Sequence, residues 1–353
     1  MNIYAVIMAG GTGTRLWPLS TKEKPKQTHR LIGNYTLFQE AVQRIEPFTG
    51  YDNLFVVAGS HHMPELRRQE PNIPKTNFIV EPAGRGTAPC IGLATAHLAK
   101  TDPDSVMVVL TADHHIGDVE GFRKALKAAV ETAFKGHLVT LGIKPTEPST
   151  GYGYIEHGAL LDNINGNKIL RVNSFREKPD KETAVEMVES GNYSWNSGMF
   201  IWKVDRILEE FRKLIPVLHK QLLVIKAAIG SPKYWEILEE SWTHVPQETI
   251  DYGVMEKADD VAVVPVDIEW SDLGSWSSVM KLLPSDKNGN VVRGQHISID
   301  THGSLIMGGD RMIATIGLRN LIIVDTDKAL LICDKSQDQK VRDLVKKLLN
   351  ACA

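Results

Sequence analysis

Cysteine is scarce in this chain: only Cys90, Cys333 and Cys352 occur among 353 residues. They are too scattered for a disulfide framework or a zinc spacing, and a reducing cytoplasm is the compartment they imply. Long apolar runs are missing too. None reaches the roughly 18 residues a membrane-spanning helix needs, so no membrane partner is expected. The amino-terminal stretch Ile3–Ala9 is short and runs straight into glycines, unlike a secretory leader. There is no excess of positive charge: the net charge is −3, which argues against nucleic acid as a partner. Anions, if bound, must be held by local placement. The remaining composition, 42% hydrophobic and 24% charged, is that of a globular protein with one large domain or two ordinary ones.

Two familiar phosphate loops are also absent. No Gly-Lys-Ser/Thr triplet occurs, which excludes a Walker loop. Arg15 and Leu16 stand where a dinucleotide loop would carry its third glycine, and Arg30–Leu37 holds no acid to take ribose hydroxyls. A nicotinamide enzyme is therefore disfavoured. No nucleophile–base motif is visible, so no covalent intermediate is expected.

What is present is MAGGTGTRLWPLSTKEKPKQ at 8–27, directly after the apolar run. Gly10, Gly11 and Gly13 let the backbone turn sharply and approach a ligand. Thr12 and Thr14 lie between and after them, and Arg15 and Lys26 supply charge. Exposed N–H groups beside an Arg and a Lys suit a polyphosphate.

The first 145 residues alternate between strand and helix patterns. Strands are expected at Ile3–Ala9, Leu54–Ala58, Phe78–Val80, Val106–Leu110 and Leu138–Ile143, and helices at Thr36–Glu46, Thr87–Lys100 and Val119–Lys135. This predicts an α/β fold with a Rossmann-like, mixed but mostly parallel sheet, and ligands beyond the carboxyl ends of the strands. From Gly151 to about Pro265 the pattern mixes antiparallel strands, a helix at Asp180–Ser190, a strand at Met199–Trp202 and a helical block over Asp205–Ile229. After Pro284, short β runs broken by Gly, Asn and Asp predict a small β-helix-like module, closed by a helix over Gln337–Leu349. The expected division is a catalytic domain over 1–284, with halves 1–145 and 146–284, and a module over 285–353. The module is expected to carry packing or dimerisation but no chemistry.

Several constellations could carry chemistry. Asp113, in TADHHI just past Val106–Leu110, could bind Mg²⁺ at a strand's carboxyl end. Asp272, in DIEWSDLGSW, could pair with it, although an Asp there could also cap the helix that follows. His114 and His115 lack a third ligand of suitable spacing and read as structural or peripheral. In VEPAGRGTAP, Glu81 could accept from the N1–H and exocyclic amine of guanine, and Gly86 and Thr87 offer backbone donors at a helix start.

These motifs, with TGYGYI at 150–155, FREKPD at 175–180 and WNSGMF at 195–200, resemble the sugar-1-phosphate nucleotidylyltransferases over essentially the full chain. The similarity is closest to the bacterial mannose-1-phosphate guanylyltransferases. It implies GMP transfer from GTP to mannose 1-phosphate, with Mg²⁺ on Asp113 and Asp272 and catalysis by Arg15 and Lys26. It implies sugar-phosphate contacts at Gly153, Glu177, Lys178 and Asn196. Two departures stand out. Gly86 replaces the Asn of an Arg-Asn-Thr-Ala-Pro pattern, which leaves another nucleoside triphosphate or sugar phosphate as the alternative; a non-catalytic sensor is a third. Thr28-His29-Arg30 replaces an apolar anchor after Lys26-Gln27. Longer members of the family the chain resembles carry an isomerase domain, and none is expected here. A homodimer through the module is compatible with its apolar character.

Overall fold

The computed structural model describes residues 2–11 and 13–351. Its contacts separate into two compact units. The first runs up to Gly10 and continues through Ala41–Ala112 and Ile116–Trp270; the second holds Gly11–Glu40, Asp113–His115 and the chain from Ser271 onward.

The first unit is built on a nine-stranded sheet. Its strands are β1 (Ile3–Met8), β2 (Leu54–Gly59), β3 (Phe78–Glu81), β4 (Val106–Thr111), β5 (Leu138–Ile143), β6 (Gly153–Ile164), β7 (Asn167–Glu177), β8 (Tyr193–Lys203) and β9 (Val261–Val266). They lie in the order β3-β2-β1-β4-β8-β5-β9-β7-β6. Only β7 and β8 run against the others, so the sheet is mixed and mostly parallel, as the alternating pattern implied. The central strands β4 and β5 are buried almost throughout, which explains their largely apolar sequence, and the buried Thr140 of β5 donates to the Met199 carbonyl. The helix Thr87–Thr101 carries Pro89 in its first turn, where a missing N–H costs nothing. Val119–Phe134 is capped by Asp118, whose carboxylate accepts from the Gly121 N–H at 2.8 Å.

The helical block expected over Asp205–Ile229 is two helices, Val204–Leu214 and Pro216–Ala228. Pro216 cannot donate, and it drives Ile215 out of the helical region to φ −134°, ψ 62°. The strand expected at Met199–Trp202 extends over Tyr193–Lys203. Helices Met63–Gln69 and Tyr234–His244 were not anticipated.

The second unit contains the expected β-helix-like module. Strands β10 (Val291–Arg293), β11 (His296–Ile299), β12 (Leu305–Met307), β13 (Ile313–Ile316), β14 (Leu321–Asp325) and β15 (Leu330–Asp334) form stacked rungs. β10, β12 and β14 pair in parallel, β11 pairs in parallel with β13, and β15 closes antiparallel on β14. At the corner after β10, Gly294 has φ +103°, and a Cβ there would meet the Gly308 carbonyl at 2.5 Å. The terminal helix spans Val341–Ala351 after a 3-10 turn over Lys335–Lys340.

One apolar cluster joins the glycine-loop segment to these rungs. Leu16, Leu31 and Leu37 are buried with Trp276, Val291, Leu305, Ile322, Val341 and Val345. Trp276, which opens the helix Trp276–Leu282, is fully buried and donates its Nε1–H to the Trp17 carbonyl at 3.1 Å. Among the described residues no helix is long and apolar enough to cross a membrane.

Trp276 pins the loop segment to the helix after Asp272. Trp276→Ala should destabilise by about 3–5 kcal/mol. Trp276→Phe, which keeps most of the ring but strands the Trp17 carbonyl, should cost about 1–2 kcal/mol. Urea denaturation followed by circular dichroism measures both; an unchanged midpoint in Trp276→Ala would remove the pin.

Candidate active site

The glycine loop turns at Gly13, which adopts φ 59°, ψ 37° and starts a 3-10 turn over Thr14–Leu16. The turn bonds the Leu16 N–H to the Gly13 carbonyl and the Trp17 N–H to the Thr14 carbonyl. The preceding amides, at Thr14 and Arg15, are those that a helical turn leaves without an internal partner. Gly11 has φ +87°. Gly10 lies at the exposed end of β1, in the first unit, and Thr12 lies outside the described residues. Glycine at 13 has a second cause: a Cβ there would stand 2.4 Å from the Cβ of Lys26.

Lys26 is buried, and its ammonium donates to Asp113 Oδ2 at 2.9 Å and to the backbone carbonyl of Asp272. Three separated stretches of chain thus meet at one cation. Arg15, Lys26, Asp113, Asp272 and Gly274 line a cavity of about 350 Å³. Burial alone would raise the Asp113 carboxyl. The charges of Lys26 and His114 and the bond from Lys26 more than reverse that, so it sits below its usual range and is ionised at neutral pH. Asp272 does not cap the next helix; Ser275 does, accepting from the Ser278 N–H, while Asp272 Oδ1 accepts from the Gly274 N–H at 3.0 Å.

Two carboxylates on one cavity fit a magnesium ion, which takes one or two carboxylates and leaves its other positions to phosphate and water. Among the described residues no three His, Cys, Asp or Glu side chains gather as an all-protein cage. His114, read from sequence as structural or peripheral, lines this cavity with Nε2 3.8 Å from Asp113 Oδ1; His115 faces Glu40 at 3.4 Å. Arg342, in the terminal helix, lines it as well and carried no sequence signal.

The residues expected to meet the nucleoside lie in the first unit. Glu81 ends β3, is buried, and accepts from the Arg85 N–H at 3.4 Å. Burial pushes its carboxyl up to about 7, with the Arg85 N–H opposing. Gly86 has φ +94°, and a Cβ there would meet the Glu248 carbonyl oxygen at 2.2 Å. The segment is laced to 248–250: Glu248 N–H donates to Arg85 O, Ala88 N–H to Glu248 O, and Ile250 N–H to Thr87 Oγ1. Position 86 therefore has no room for the Asn of the family pattern while this lacing holds.

Gly153, Glu177 and Asn196, from β6, β7 and β8, come together in the same unit. A Cβ on Gly153 would lie 2.3 Å from Glu177 Oε2 and 3.5 Å from Asn196 Cβ. Lys178 is exposed and ion-paired to Glu177. The Asn196 amide is fixed at both ends, donating to Asp251 Oδ1 at 2.6 Å and accepting from the Gly198 N–H at 3.1 Å. Asp251 opens a π-turn over Asp251–Met255 and was missed from sequence. Its carboxyl is raised, first by burial and further by the charge of Glu177, against the Asn196 bond. Tyr152 packs edge-on against Trp195 and Trp270, with centroids 4.9 and 5.3 Å away, bracing the strand ends that carry Gly153 and Asn196.

A mostly parallel α/β sheet, a glycine loop with Arg15, and a Lys26–Asp113–Asp272 cavity define a protein that handles phosphate esters without a Walker loop. The family model described as nucleotidyl transferase matches residues 4–289, and that of the mannose-phosphate isomerase/GMP-like β-helix domain matches 294–348. The chain belongs to the nucleotidyl transferase family. It is 39% identical over 352 residues to the mannose-1-phosphate guanylyltransferase ManC of Salmonella typhimurium, covering 98% of this chain and 73% of that one. It is 38% identical to the alginate biosynthesis protein AlgA of Pseudomonas syringae pv. tomato, covering 96% and 70%. A crystal structure from Thermus thermophilus, named as a mannose-1-phosphate geranyltransferase, superposes with a TM-score of 0.88 at 33% identity and 99% coverage of both chains.

Local geometry generates two predictions. Gly13→Ala should leave the fold intact but displace Lys26, lowering turnover at least tenfold; an activity equal to the parent's would show that the contact yields freely. Glu81→Gln should stabilise the protein. The folded carboxyl keeps its proton up to about pH 7, whereas the unfolded one loses it near 4.5. Ionisation therefore weakens the fold as pH rises through that window, by about 3 kcal/mol once it is complete. The gain from Gln should be largest near pH 8 and vanish below about pH 4.5. Melting curves with the same gain at pH 5 and pH 8 would contradict the assignment.

Proposed function

We propose that the protein transfers a guanylyl group from GTP to α-D-mannose 1-phosphate, giving GDP-mannose and pyrophosphate. The observation that carries this is Lys26, held between Asp113 and Asp272 on the glycine-loop cavity. The names of the relatives supply the substrates. A phosphate oxygen of the sugar attacks the α-phosphorus in line. The new O–P bond forms as the bond from the α-phosphorus to the bridging oxygen breaks, and pyrophosphate leaves with that electron pair. Catalysis is positioning and charge neutralisation.

Lys26 steadies charge at the α-phosphorus, and Arg15 steadies the departing pyrophosphate. Gly10, Gly11, Thr12, Gly13 and Thr14 hold phosphates through the loop. When bound, Mg²⁺ on Asp113 and Asp272 neutralises phosphate charge. Glu81, Gly86 and Thr87 receive the nucleoside, with Glu81 accepting from guanine. Gly153 lets the sugar ring approach, Glu177 and Asn196 meet its hydroxyls, and Lys178 exchanges its Glu177 pairing for the sugar phosphate. Nucleotide binding is assigned to 1–145 and sugar-phosphate binding to 146–284. The proposal includes a cytoplasmic location and a homodimer through the module at 285–353, where Ile297, Ile299 and Ile316 are exposed.

Pyrophosphate release across a panel of nucleoside triphosphates and sugar 1-phosphates tests this directly. GTP with mannose 1-phosphate should be fastest, and chelation of divalent cations should abolish release. Faster release with another pair would transfer the assignment to that pair. Arg15→Ala and Lys26→Ala should keep the native circular dichroism and lose on the order of 10²–10³ in turnover. Parent-like rates in either would sink that residue's role.

A further inference from the structure

The terminal helix Val341–Ala351 packs against the 3-10 turn that carries Arg15. Val341 and Val345 are buried in the cluster that holds Leu16, so one face of the helix is fixed to the loop. Arg342, next to Val341, is exposed and lines the cavity of Arg15, Lys26, Asp113 and Asp272. Lys26 is neutralised locally by Asp113. Among the described residues, the side chains of Arg15 and Arg342 make no hydrogen bond or ion pair within the chain. Two guanidinium groups left without carboxylate partners beside one cavity repel each other unless an anion lies between them. Guanidinium forks fit phosphate oxygens in pairs.

We infer that Arg342 is a second pyrophosphate-binding residue, clamping with Arg15 the β- and γ-phosphates of the nucleotide. This rests on the proposed nucleotidyl transfer, and it gives the C-terminal module, expected to carry no chemistry, a group in the site. Arg342 grips what leaves and ignores what is transferred.

Steady-state kinetics in both directions read that distinction. Arg342→Ala should raise KM for GTP and, in the reverse reaction, for pyrophosphate, each on the order of tenfold or more. KM for mannose 1-phosphate and GDP-mannose should stay within about twofold. Arg342→Lys should recover part of the loss. Lys347→Ala, which removes a charge from the same helix at a position that does not line the cavity, should change none of the four constants. Equal changes in all four constants, or none, would overturn the inference. Calorimetric titration with inorganic pyrophosphate alone separates the two proposals. If the parent releases no pyrophosphate from any substrate pair, the proposed function fails. Pyrophosphate binding that weakens tenfold in Arg342→Ala still sustains the clamp, and binding unchanged by the substitution overturns it.

Discussion

The second unit is organised round one buried ammonium. Lys26 reaches Asp113 Oδ2 and the Asp272 carbonyl at once, and so joins two separate segments from the first third of the chain to one from the last third. Removing the ammonium would take its main counter-charge from Asp113, which is itself partly exposed on the cavity. The surroundings are shaped to admit Lys26. Gly13 is bare where a Cβ would strike it, and Leu16 and Leu31 anchor the loop on both sides. The polar Thr28 and His29, which replace an apolar anchor, do not loosen the turn. Thr28 donates to the Pro25 carbonyl, and His29 Nε2 sits 3.1 Å from the Lys24 carbonyl.

Where Lys26 balances its carboxylate, no cation among the described residues offsets the burial of Glu81. It is buried with one long bond from a backbone N–H, and its carboxyl is raised to about 7. Ionising such a group costs the fold stability. Asp251 is raised for a related reason, burial near Glu177, but it already holds Asn196 in one orientation. The two carboxylates therefore differ in kind: one is buried with a single long backbone bond, and the other holds a neighbouring amide in place.

Much of the fold was legible in the sequence because its signals are local. Val106–Leu110 and Leu138–Ile143 read as strands since both faces are covered, so the apolar pattern does not alternate. The glycine loop was legible because Gly11, Gly13 and Arg15 act within one turn. Pro216 carried a local signal as well, and it divides the helical block expected over Asp205–Ile229 into two helices. Asp251 and Arg342 were not legible. Asp251 lies 55 residues after Asn196 and meets it only through sheet and π-turn packing. Arg342 reads as one more charge on a solvated helix until Val341 is seen to bury beside Leu16. The tightness round Gly86 was equally hidden, since its cause is the backbone at Glu248.

The Lys26–Asp272 contact also has a meaning in time. The partners are 246 residues apart in sequence. At ribosomal rates of roughly 5–20 residues per second, that separation corresponds to on the order of ten to fifty seconds of synthesis. Throughout that interval the glycine loop exists without the backbone that will receive its ammonium. The cavity round Lys26 therefore matures late, after the strands β1 to β9 have been made, and its lining is not complete until the terminal helix has brought in Arg342.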